Sequence, residues 1–371
     1  MKPCSNSSGA ASCSDTAVTA FQERLLDWYG RLGRGDLPWR NPASPYRVWV
    51  SEIMLQQTRV ATAIPYFQRF VTRFPDIRSL AEADGDEVMR HWAGLGYYAR
   101  ARNLHHTARL VCERHGARLP DDPDTLVALP GIGRSTAGAI LAIAHNRRAA
   151  ILDGNVKRVL ARRHGIEEWP GLSSVNRELW ELSEKHAPHE RAADYTQAIM
   201  DLGATLCTVR RPRCGECPVS EGCAARQIGR TEAIPAPRPA TVQPVRCCHF
   251  LILLDRDGRC YLERNPPQGL WGGLWCFPRF GDEAALRAAC LARGIDMDTL
   301  VFAPARRHTF SHFHLDYVPV TAGVSGPPGC VAETDSGTWF HPGASGATAV
   351  PAPIARLLAE LTEPSTLEKC A

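Results

Sequence analysis

Hydrophobic positions recur at helical spacing through most of the first 225 residues. Phe21, Leu25, Leu26, Trp28, Tyr29 and Leu32 predict an opening amphipathic helix over 16–32. A second helix is expected from Tyr46-Arg47-Val48-Trp49-Val50 into SEIMLQQTRV, and further ones over about 60–74, 78–92, 98–115, 156–163, 173–186 and 189–206, punctuated by Gly or Pro. Near residue 246 the pattern changes. CCHFLILL, the turn Asp257-Gly258 and RCYLER read as a β-hairpin; GLWGGLWCFP, a helix over 282–293 and a strand within FSHFHLDYVPVTAGV follow. Between the halves, Pro235, Pro237, Pro239 and Pro244 among small and polar residues predict a semi-rigid linker over 226–245. The expectation is a mainly α domain over 16–225 and an α/β domain over 246–371.

Composition narrows the classes. The 371 residues suffice for two domains with cores of their own, and a net charge of +4 is compatible with a DNA partner without demanding one. The leader MKPCSNSSGAASCSD lacks the apolar stretch of a secretory signal, so 1–15 are expected to be disordered. No apolar run is long enough to span a bilayer. Fourteen cysteines without secretory features point to a reducing compartment, where thiols bind metal or stay free.

Several stretches carry candidate chemistry. Around LPGIG, between Asp122 and Arg163, two helices form a hairpin, the first stopped by Pro130 and Gly131, with Gly133 allowing a tight turn. The second starts with unprotected backbone N–H groups that suit a phosphate; the same pattern also describes two core helices with a Gly turn. Asp153-Gly154-Asn155 precedes another helix, where Asp153 or Asn155 reads equally as an N-cap. Glu52 shares a helical face with Val48, Leu55 and Gln56. It is either a solvated helix glutamate or a desolvated one with a raised pKa. Gly94-Leu95-Gly96-Tyr97-Tyr98 sets an aromatic beside two glycines, suited to wedging between bases or to burial in a loop. Cys207, Cys214, Cys217 and Cys223, spaced C-x6-C-x2-C-x5-C, can close around zinc or a 4Fe-4S cluster; spacing alone does not choose. Arg210, Arg211 and Arg213 inside the first interval form either a DNA-facing group or a solvated run.

LPGIGRSTAGAI followed by ILDGNVKRVLAR resembles the helix-hairpin-helix DNA glycosylases of the endonuclease III superfamily, and most of all the MutY adenine glycosylases. The cysteine spacing is similar to that superfamily's iron–sulfur loop, and the C-terminal order resembles the MutT-like Nudix fold of MutY. This resemblance implies a helix-hairpin-helix glycosylase domain with a structural 4Fe-4S cluster, followed by an α/β Nudix-like domain that reads 8-oxoguanine. The implied reaction removes adenine mispaired with 8-oxoguanine or G in duplex DNA. Glu52 would protonate adenine at N7, Asp153 would stabilise the oxocarbenium-like sugar, and Asn155 would orient these groups. Trp39, Arg40 and Gln197 would line the adenine pocket, while Gln57 and Tyr97 would enter the duplex. Gly131, Gly133, Ser135, Lys157, Arg210 and Arg211 would contact DNA, and Phe310, Ser311 and His312, at the start of a β-strand, would meet 8-oxoguanine. The helix DEAALRAACLARG lacks the clustered glutamates by which a Nudix hydrolase holds Mg²⁺, so the fold without the hydrolase chemistry is expected. A monomer in a bacterial-type cytoplasm, associated with DNA and not with membrane, is implied.

Three other readings compete. An endonuclease III-type glycosylase and lyase for oxidised pyrimidines needs a lysine amine where this chain has Ser135, although Lys157 could trap an abasic sugar weakly. A non-catalytic DNA-binding module leaves Glu52 and Asp153 unexplained. A zinc hydrolase would need His308, His312 and His314 to converge.

Overall fold

The computed structural model describes residues 13–324, 336–343 and 348–362. The expected leader lies outside them except for its last three residues, which open the first helix. The helices are α1 (Cys13–Leu32), α2 (Pro45–Leu55), α3 (Val60–Arg73), α4 (Ile77–Glu82), α5 (Gly85–Trp92), α6 (Ala99–His115), α7 (Pro123–Val127), α8 (Arg134–Ala139), α9 (Gly154–His164), α10 (Ser173–His186), α11 (Ala192–Thr205), α12 (Ala224–Gln227), α13 (Glu283–Ala292) and α14 (Ala352–Leu361). The strands are β1 (Val245–Leu254), β2 (Cys260–Arg264), β3 (Trp275–Cys276), β4 (Arg279–Phe280), β5 (Val301–Phe302), β6 (Arg306–Thr309), β7 (His314–Gly323) and β8 (Gly337–Phe340).

The chain divides into two compact units, one of Met1–Ala81 with His106–Pro239 and one of Glu82–His105 with Ala240–Ala371. This division departs from the expected boundaries at two places. Glu82–His105 groups with the second unit, where Arg264 pairs with Asp86 and Arg102 donates to the Gly272 carbonyl at 2.5 Å. Residues 226–239, expected as linker, belong to the first unit. Ile234 is buried there, its carbonyl accepts from Arg162 at 2.8 Å, and the Ala236 N–H donates to the Glu167 carbonyl. The helix expected over 78–92 is two helices, because Asp84 takes an extended backbone (ψ 138°) and starts α5.

In the helical unit, local signals and packing agree. Ser44 caps α2 by accepting from the Arg47 N–H, with Pro45 at the first helical position; Asp122 caps α7 by accepting from the Thr125 N–H, ahead of Pro123. The apolar face of α1 (Phe21, Leu25, Trp28) joins Val156, Val159 and Leu160 of α9 and Ala198, Ile199 and Leu202 of α11 in one core. In the LPGIG turn it is Gly131 that adopts positive φ (81°), whereas Gly133 is extended and precedes α8, so the tight turn expected at Gly133 sits two residues earlier. Helix α8 continues as a π-helical turn over Ile140–Ala144.

In the second unit, β1 and β2 form the expected hairpin, closed by Asp255 and Arg259. The described strands make one sheet in the order β3-β2-β1-β7-β5, with β4 on β1, β6 on β7 and β8 on β2. Strands β1 and β7 run parallel from Val245 opposite His314 to Leu254 opposite Gly323. Leu286 and Cys290 of α13 pack with Leu251, Leu253, Tyr261 and Val320 to cover one face.

Candidate active site

The helical unit encloses a cavity of about 440 Å³. Its lining includes Glu52, Asp153, Asn155, Trp39, Arg40, Gln197, Gly133 and Ser135, eight of the residues singled out from sequence. Glu52 projects from α2, whose other face is packed by Trp49, Val50, Ile53 and Met54. Asp153 is the N-cap of α9. Its carboxylate accepts from the Val156 N–H at 2.7 Å and from the Asn155 amide at 3.2 Å. Asn155 in turn accepts from Arg158 at 2.9 Å, and Arg158 also donates to the carbonyls of Gly203 and Cys207, both at 2.7 Å. Helix α11 crosses here at Gly203 because nothing larger fits: a Cβ there would lie 2.6 Å from the Asn155 Cβ.

Burial acts on both carboxyl groups in the same direction. Burial, helped by the negative charge of Asp153, raises Glu52 from 4.5 to about 8, so it holds its proton at neutral pH. Burial also raises Asp153, but the Val156 N–H, Asn155 and Arg158 all oppose that shift and favour its ionised form. A protonated Glu52 and an Asp153 held by hydrogen bonds that favour its charged form therefore share a cavity, a pairing suited to acid catalysis beside a developing positive charge.

Opposite chemistry lines another part of the cavity. Asp201, fully buried, is chelated by Arg34 and Arg40; Arg40 donates to both its oxygens, at 2.8 and 3.0 Å. Arg34, Asp201 and Tyr29, which hydrogen-bonds Gln197, were missed from sequence. The available signal was an acid between Met200 and Leu202 on an otherwise apolar helix face.

Other expected contacts lie outside the cavity. Gln57 and Tyr97 are both exposed non-glycine residues at positive φ (56° and 49°), a backbone cost held in place by surrounding structure. The Tyr97 loop is braced by Arg100 and Trp92, which donate to the Gly96 carbonyl at 3.1 and 3.2 Å. Gly131 is exposed at the hairpin turn, and Ser135, which does line the cavity, accepts from the Leu152 N–H at 3.1 Å. Lys157 is half-buried, and burial lowers its pKa. Arg210 and Arg211 are exposed with no ion pair among the described residues, whereas Arg213 pairs with Glu216. In the second unit, Phe310, Ser311 and His312 form the tip of the β6–β7 hairpin and not the start of a strand, closed by the Phe310 N–H on the Phe313 carbonyl. Phe310 stacks on Phe313 at 4.4 Å, leaving Ser311 and His312 exposed. Among the described residues, His308, His312 and His314 do not form a group placed to hold a metal ion.

Cys207, Cys214, Cys217 and Cys223 instead surround a small cavity of their own. Arg162, buried beside it, donates to the Cys207 sulfur at 3.3 Å and to the carbonyls of Thr208 and Val209. Burial pushes the Cys217 thiol up to about 11 and raises Cys207 as well. Four half-buried cysteines around one cavity offer four thiolate ligands to a cationic group that would displace their protons, and this donor set fits an iron–sulfur cluster. The purified protein is expected to be yellow-brown with about four irons per chain. A colourless preparation holding one zinc would overturn the assignment.

Comparison with known proteins agrees with this anatomy. Residues 50–185 match the HhH-GPD superfamily of base excision DNA repair proteins, 207–223 the iron–sulfur binding domain of endonuclease III, and 249–360 the NUDIX domain. The adenine DNA glycosylase of Buchnera aphidicola subsp. Acyrthosiphon pisum is 35% identical over 91% of this chain and 96% of its own length. The human adenine DNA glycosylase is 42% identical over 71% of this chain and 49% of its own. The structure of a thermostable thymine-DNA glycosylase superposes with a TM-score of 0.54 at 27% identity, covering 58% of this chain and all of that one. With a helix-hairpin-helix unit, an iron–sulfur loop and a Nudix-like domain in one chain, and similarity across nearly its full length, the chain belongs to the MutY-like adenine DNA glycosylase family.

Proposed function

We propose that this chain hydrolyses the N-glycosidic bond of adenine mispaired with 8-oxoguanine or guanine in duplex DNA. The observation that carries the reading is a Glu52 raised to about 8 in the same cavity as an Asp153 whose ionised form is hydrogen-bonded. Adenine leaves poorly as an anion. Glu52 gives its proton to N7 of the base while the bond from C1′ to N9 breaks and its electron pair goes to the base. The sugar becomes oxocarbenium-like, and the Asp153 carboxylate beside it stabilises that charge. Glu52, now ionised, takes a proton from water as the oxygen attacks C1′, which restores the acid. A cavity of this size takes one purine, so the adenine must leave the stack, with Gln57 and Tyr97 as the residues that fill or part the duplex. Trp39, Arg40 and Gln197 line the base pocket; Gly131, Gly133, Ser135, Lys157, Arg210 and Arg211 lie toward the DNA backbone.

Adenine is a normal base, so safe excision requires reading the opposite strand. The exposed Ser311 and His312 at the hairpin tip supply a hydroxyl and an imidazole for the N7 edge of 8-oxoguanine, which is a donor there and an acceptor in guanine. Position 135 has no lysine, so release of the base is not coupled to Schiff-base cleavage of the strand; the chain acts as a monofunctional glycosylase.

The test uses duplexes with adenine opposite 8-oxoguanine, G or C. The expected result is free adenine from the first two, with an intact abasic site cut only after alkali. Strand cleavage keeping pace with base release, or release of an oxidised pyrimidine instead, would favour the lyase reading. Ser311→Ala with His312→Ala is expected to narrow the preference for 8-oxoguanine over G by roughly 5–100-fold, the usual range for a lost base-edge contact. An unchanged preference would place lesion reading elsewhere.

A further inference from the structure

Tyr29 sits on α1, outside the cavity, and its oxygen lies between two groups of opposite hydrogen-bonding sense. On one side is Arg40, fixed by two bonds to the buried carboxylate of Asp201; its Nη1 approaches the phenol oxygen at 3.4 Å. A guanidinium can only donate, so the phenol oxygen accepts there. On the other side is Gln197, whose Oε1 lies 2.9 Å from the phenol oxygen. The phenol has one proton, and Gln197 Oε1 is its acceptor among the described residues. Reversing the amide would aim a second donor at the same oxygen and leave the phenol proton unplaced. Burial raises the Tyr29 pKa, so the phenol keeps that proton at neutral pH. Gln197 itself lines the cavity, with its carbonyl oxygen engaged outside the cavity lining.

We infer that Tyr29 is a specificity-determining positioning residue, which holds the Gln197 amide so that the cavity meets its NH₂ and not its carbonyl. This rests on the reading of the cavity as a purine pocket. With the glycosidic side of the base turned toward Glu52 and Asp153, the Gln197 NH₂ would meet N1 on the far edge. Adenine carries a bare N1 there, which accepts from the NH₂. A 6-oxopurine carries N1–H, which faces donor against donor. A free glutamine would rotate its amide and take either base; a tethered one rejects the 6-oxopurine by leaving two donors unpaired.

Deoxyinosine tests this, because hypoxanthine differs from adenine only at the 6-substituent and at N1. Single-turnover release of adenine and of hypoxanthine is measured in the same duplex context with the full-length protein. Wild type should prefer adenine, and Tyr29→Phe should lower the adenine-to-hypoxanthine ratio by about ten-fold or more, the scale on which hydrogen-bonding sites discriminate. A merely structural role would slow both bases alike. Gln197→Met should lower the ratio similarly, and in that background Tyr29→Phe should change nothing further. Adenine release with an unchanged ratio in Tyr29→Phe overturns the inference, as does an unchanged ratio in Gln197→Met if Tyr29→Phe does not fold. Failure of the wild type to release adenine at all overturns the proposed activity instead, and the inference with it.

Discussion

Glu52→Gln is expected to slow adenine release by about 10²–10⁴-fold, the range for loss of a general acid, while duplex binding persists. Gln has nearly the same shape and no proton to give. The wild-type single-turnover rate should fall as pH rises through about 8, where Glu52 loses its proton, and the residual rate of Glu52→Gln should lack that limb. Stability moves the other way. A carboxyl raised from 4.5 to about 8 by folding binds more protons folded than unfolded between those values, so the Glu52 contribution to stability is most favourable below 4.5 and declines as pH rises to about 8. Removing the ionisable group removes the decline, and Glu52→Gln should be more stable than wild type by roughly 1–3 kcal/mol at pH 8. Denaturant melts across pH measure this directly; parallel profiles for the two proteins would show that Glu52 is not perturbed by the fold.

Asp153→Asn is expected to cost about 10²–10³-fold in rate, the scale for one preorganised electrostatic contact at a developing charge. The fold should survive, since Asn caps a helix about as well as Asp and keeps an oxygen for the Val156 N–H. Because the Asp153 charge is one of the causes that raise Glu52, the alkaline limb of the remaining activity should shift to lower pH. Single-turnover rates across pH decide it. A limb that stays in place would mean that the two carboxyl groups do not sense each other.

The helices were legible because their apolar positions keep a 3.6-residue period and their starts carry side chains that cap: Ser44, Asp122 and Asp153 each accept from a backbone N–H three residues on. The eight cavity residues came from motif and resemblance, and the helical packing brings them to one cavity. What was illegible depends on tertiary partners. Asp201 reads as an isolated acid until α11 packs near Arg34 and Arg40, and Tyr29 reads as one more apolar position of α1 until Gln197 reaches its oxygen. The turn glycine was misplaced because LPGIG offers two glycines and only the backbone course decides which takes positive φ. The Pro-rich stretch reads as a semi-rigid linker because composition does not reveal that Ile234 has a place in the helical core. Phe310-Ser311-His312 was read as a strand start since the residues on both sides are strands; the register of Thr309 opposite His314 leaves those residues in the turn.

The close crossing of α11 over Asn155 bears on how the molecule tolerates inherited change. Gly203 carries no functional group and does not line the cavity, yet a methyl there would press on the Asn155 Cβ, Cα and carbonyl carbon at 2.6–3.1 Å, none of them the end of a flexible side chain. Asn155 holds one oxygen of Asp153, so the displacement would be passed to a carboxylate that must sit within a few tenths of an ångström of its place. The vulnerable positions of this protein therefore extend beyond those with chemistry to perform. Gly203 marks a site where alanine, the mildest of substitutions by size, is expected to slow adenine release although Glu52, Asp153 and the four cysteines are all intact.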